Sequence, residues 1–152
     1  MLASMLNSSQ GPATIPPLDV RDEITARLQD LVEALEAHPS WSTSPPPPRN
    51  LFHVWDFVKR SHYIMTELDN IEQGRPTRHP EQIPRNAGAS GANAAALSFQ
   101  DVVTRSVTIN EMIQNPQMLV MLGLSRIDFG DNVRERSRAL AASFDKALSP
   151  SS

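Results

Sequence analysis

Four histidines, His38, His53, His62 and His79, bring imidazoles, the side chains most used for acid–base catalysis and metal binding. No two of them flank a carboxylate at i, i+4, the spacing that makes a helix face into a metalloprotease site. His53 and His62 fall on one helix but too far apart to share a tight ligand position. His53, Asp56 and Arg60 form an i, i+3, i+7 row, in which a carboxylate could orient an imidazole for acid–base work. The plainer reading, the solvated strip of a mostly buried helix, is preferred. Arg75, Arg78, His79 and Arg85 could meet an anion, but their segment lacks the glycine-rich, helix-opening form of a phosphate cradle. No catalytic, cofactor-binding or metal-binding residue is assigned from the sequence.

Composition narrows the classes further. The chain has 152 residues, a length that fits one domain. It has no cysteine, which removes disulfides, thiolate catalysis and cysteine-ligated zinc or iron–sulfur centres. A net charge of −3 argues against a protein held mainly by a phosphate backbone, so nucleic acid is not the expected partner. No apolar run approaches a membrane span, and the start Met1-Leu2-Ala3-Ser4-Met5-Leu6 is too short and uncharged for a secretory signal. A cytoplasmic or otherwise intracellular location is the default expectation. Export without a cleaved signal is compatible with the Ser/Gln/Pro-rich start.

The elements that would position any site are helices broken by prolines. Residues 1–17 are Ser, Gln, Gly and Pro-rich and read as a disordered arm. A first helix is expected at 19–37, with Asp19 as N-cap. Its stripe is Ile24, Leu28, Leu31 and Leu35, widened by Val20 and Val32. Pro39 stops it. Residues 39–48 end in Pro45 to Pro48, a stiff polyproline spacer and, less favoured, a ligand for an aromatic groove. A second helix, 51–72 with Asn50 as cap, has two apolar faces. Leu51, Val54, Val58, Met65 and Leu68 make one; Phe57, Ile64 and Ile71 make the other. That pattern predicts a central helix buried on most sides.

Residues 73–93, with Gly74, three prolines and Gly88 to Gly91, read as a flexible loop. A third helix is expected at 95–114, with Phe99, Val102, Ile109 and Ile113 inward and Val103 and Met112 beside them. Asn115-Pro116 ends it and opens a very short helix that Gly123 closes. A last helix spans 132–148, with Asp131 as cap and Val133, Leu140, Phe144 and Leu148 inward. Residues 149–152 read as a disordered tail. No strand pattern competes. The expected fold is all-α: an antiparallel bundle of four main helices plus one short helix, forming a single domain over 18–148.

Two local resemblances accompany this reading. Arg21, Glu23 and Arg27 on the first helix resemble the chorismate mutase pattern, which implies a small helical mutase holding an anionic substrate between arginines. The segment Glu111 to Met118, with its Asn-Pro break and methionines, resembles the amphipathic helices of ubiquilin-type chaperone-associated modules. Those modules hold apolar segments in a methionine-lined groove.

The physical content of the corner stands without a family. Met112, Met118, Leu119, Met121, Leu122 and Leu124, with Val120, crowd a helix too short to hide them all on one face. Methionine suits adaptable binding surfaces, so these six are the candidate partner-binding residues. The competing reading makes them a core-capping turn. The expected function is a non-catalytic helical protein–protein interaction module: an adaptor, scaffold subunit, regulator or effector with a protein partner and no cofactor. Self-association is left open. The alternatives are a mutase-type helical enzyme and a helix-turn-helix DNA-binding regulator built on the turn Gly123-Leu124-Ser125.

Overall fold

The structure, a computed structural model, describes residues 15–37, 49–83, 90–123 and 126–148. The expected polyproline spacer Pro45 to Pro48, the first fourteen residues of the arm and the 149–152 tail lie outside the described residues. Within them the chain is helical, with no strand. The helices are α1 (Leu18–Glu36), α2 (Arg49–Glu72), α3 (Gly91–Gln114), α4 (Pro116–Met121) and α5 (Arg126–Leu148), with a 3-10 turn at Pro80–Gln82.

Four long helices of 19, 24, 24 and 23 residues each offer one apolar face. They bury those faces together as a ring: α2 packs on α1 and α3, and α5 closes on both α3 and α1. Polar contacts fix the antiparallel sense. Arg21 at the start of α1 pairs with Asp69 and Glu72 at the end of α2, at 3.0 and 3.4 Å. At the other end of that pair, Trp55 Nε1–H donates to Glu36 Oε2 at 2.9 Å. Ser137 Oγ–H donates to Asn110 Oδ1 at 2.9 Å between α5 and α3.

The predicted stripes meet in one core. Ile24, Leu28, Leu31 and Leu35 are fully buried, as are Val102, Ile109 and Ile113, with Phe99 against Phe144 at 6.2 Å between centroids. Leu148, expected inward, is half exposed because the helix ends there.

α2 is a member of the ring and not its centre. Both of its predicted faces contribute, since Ile64 and Ile71 are buried beside Leu51, Val54, Val58, Met65 and Leu68. The extra aromatics sit at its edges. Phe52 is exposed, and Phe57 lies under the Arg105 guanidinium of α3 at 5.1 Å. Four helices of similar length can share a core equally, so none needs to be surrounded.

The boundaries differ from the expected caps. Pro17 precedes α1, so Asp19 falls inside its first turn; α2 opens at Arg49, which places Asn50 inside as well. Ile15, expected in the arm, packs against the core. Of the segment expected as a loop from 73 to 93, residues 73–83 and 90–93 are among the described residues. α3 already begins at Gly91, and residues 75–83 fold back on α2 as a strap. Arg75 N–H donates to Asn70 O at 2.7 Å, Arg78 N–H to Glu67 Oε1 at 3.3 Å, and His79 N–H to the Tyr63 hydroxyl.

Candidate functional site

The Asn115-Pro116 corner is built as its residue types dictate. Asn115 ends α3 with its N–H on Glu111 O, and its side-chain oxygen accepts from Gln117 N–H at 2.9 Å, capping α4. Gly123 closes α4 at φ 72°, a left-handed conformation that favours glycine.

One turn of helix divides its apolar residues. Leu119 is buried, as is Met112 on α3, and Met118 and Leu122 are partly buried against the core. Val120 and Met121 point the other way, 77 and 79% exposed. Met112 and Leu119 therefore fasten the corner and offer no surface to a partner. Of the five candidates among the described residues, Met121 is the one fully presented, with Val120 beside it. Leu124 lies outside the described residues.

The chemistry-bearing residues are spread and largely engaged with one another. In the His53, Asp56, Arg60 row, Arg60 Nε lies 3.0 Å from Asp56 Oδ2, while exposed His53 lies tilted against Phe57 with ring centroids 5.2 Å apart. The first-helix trio diverges. Arg21 turns to α2, whereas Glu23 turns to α5, accepting from Ser143 Oγ–H at 2.9 Å with Lys146 Nζ at 3.7 Å. Arg27 lines a cleft of about 180 Å3 with Asp30 of α1 and Glu135 and Arg136 of α5. Two arginines do converge there, but Arg27 is exposed and each arginine shares the cleft with a carboxylate.

Among the described residues the buried polar side chains are five serines and Glu67, whose carboxylate is taken by Asn70 and the Arg78 N–H. No group of three or more His, Asp or Glu able to hold a metal occurs among the described residues. After the Gly123-Leu124-Ser125 turn, Gly130 interrupts α5 at φ 76°, ψ 169°, so residues 126–129 make a single turn where a recognition helix would need several.

A second surface was not anticipated. Trp55, Asp56, Lys59, Arg60 and Tyr63 of α2 line a groove of about 280 Å3 with His79 of the strap. Trp55, Lys59 and Tyr63 recur at i, i+4, i+8, which is visible in the sequence. That His79 folds back to join them is not, because it depends on the strap. His62, on the same helix, is held below its ordinary pKa of 6.5 by burial and then by the Lys59 ammonium.

No known protein family matches the chain, and no curated protein or solved structure is detectably similar to it.

Proposed function

We propose that this protein is a non-catalytic helical interaction module, an adaptor or regulatory subunit that engages a partner protein through the tip of α4. The observation that carries the reading is the split of a single turn. Leu119 is locked into the core while Val120 and Met121 stand 77 and 79% exposed. Exposing two adjacent large apolar side chains on a capped, hydrogen-bonded corner gains nothing for the fold. A rigid corner also loses little conformational freedom on docking, and methionine adapts its shape to what it meets. The pairing of Arg21, Asp56, Arg60 and Arg105 with neighbours further supports a scaffold over a reacting site.

The test is site-specific photo-crosslinking in the native cell. A benzophenone amino acid at Met121 should give one discrete adduct, lost on Val120→Asp. The same group at exposed Gln100 on α3 should give none. Equal labelling at both positions, or none at Met121, would overturn the placement.

A further inference from the structure

The strap places an imidazole where α2 alone would leave open surface. Trp55 and Tyr63 stand about two turns, or roughly 12 Å, apart along one face of α2, with Lys59 midway. The His79 ring lies against Tyr63 with centroids 5.4 Å apart, and the His79 backbone N–H donates to the Tyr63 hydroxyl. The result is a short trough with an aromatic wall at each end, of about 280 Å3, near the lower end of small-ligand pockets.

The charges are sorted along it. Lys59 Nζ sits 5.8 Å from the Trp55 ring and has no carboxylate within 4.0 Å among the described residues. Arg60, beside it, shares Asp56, so the middle of the trough has two cations against one carboxylate. The ends are acidic. Glu36 holds the Trp55 indole N–H, and Glu81 lies 3.8 Å from His79 Nδ1.

We propose that this trough binds a compact aromatic anion: one or two rings bearing a single carboxylate or phosphate. The anionic group sits at Lys59 and the outer N–H groups of Arg60. The ring lies against Trp55 or against the Tyr63–His79 pair. Aromatic walls favour a planar ligand over an aliphatic acid. The unpaired ammonium favours an anion over a neutral ring. The acidic ends disfavour an extended ligand with negative charge at both tips.

The test is amide NMR titration of the full chain with 2-naphthoate and phenyl phosphate, against neutral 2-naphthylmethanol. One or both anions should shift amides of residues 55–63 and 78–80 and bind at least about tenfold tighter than the alcohol, and the tighter anion identifies the head group. Lys59→Met, at an exposed position, should weaken the anion about tenfold and, above pH 6.5 where His62 is neutral in both the folded and the unfolded chain, leave thermal unfolding and alcohol binding unchanged. His79→Ala should weaken it as well. The proposal is overturned if the alcohol binds as tightly as the anions, if the shifts map elsewhere, if none appear at millimolar ligand, or if Lys59→Met has no effect.

Discussion

Ser143 donates its hydroxyl to Glu23 Oε2 at 2.9 Å, across 120 residues of sequence. This half-buried contact stitches the last helix to the first and closes the ring. The donor is neutral and the acceptor a partly buried carboxylate, so the bond stabilises more than an ordinary one. Ser143→Ala should cost about 1–2 kcal/mol in urea unfolding. Glu23→Ala, which removes the acceptor, and the double variant complete a cycle with a coupling of about 1 kcal/mol, whereas additive costs would mean the contact carries no weight.

The strap should behave as part of α2. Glu67 accepts from Asn70 and from the Arg78 N–H, and Tyr63 receives the His79 N–H. Hydrogen exchange should find the Arg78 and His79 amides protected in the native chain. Glu67→Ala and Tyr63→Phe should each speed exchange at the amide they hold by about tenfold, the equivalent of roughly 1.4 kcal/mol. Glu67→Gln, which keeps an acceptor, should preserve most of the protection at Arg78.

Stability should depend on His62. Its folded pKa lies below the ordinary 6.5, first through burial and second through Lys59. The unfolded chain therefore binds more protons in that window, and stability rises with pH through it. The contribution is fully present above 6.5 and is lost as pH falls through the folded value. His62→Gln should flatten the pH dependence of Tm on the acid side. Lys59→Met should raise the His62 pKa part of the way back in an NMR titration.

The α4 corner separates fold from surface within neighbouring residues. Leu119→Ala should cost about 2–4 kcal/mol through the cavity it leaves. Met121→Asp and Val120→Asp should each change unfolding by less than about 0.5 kcal/mol, which makes them clean probes of partner capture.

Gly130 holds φ 76° and ψ 169°, a region essentially closed to side chains, although a Cβ there would meet nothing within 4 Å. Gly130→Ala should therefore cost about 1–3 kcal/mol through backbone strain alone, read from chemical denaturation. A neutral result would mean the α5 break can relax into continuous helix.

Local patterning determined much of this protein. The 3.6-residue stripes of Ile24 to Leu35 and Phe99 to Ile113 picked out the core faces, because each buried face must be written in its own helix. Asn115, Pro116 and Gly123 marked the corner, because caps and left-handed glycine are local chemistry. Tertiary structure decided what those patterns could not carry. It showed that α2 shares the core instead of occupying its centre, because burial depends on how many neighbours a helix has. It divided the methionine-rich corner into anchors and an exposed tip, because the side that faces inward is set by where α4 lands on the bundle. It also brought His79 to Tyr63, because that contact depends on a strap whose hydrogen bonds are made to another element.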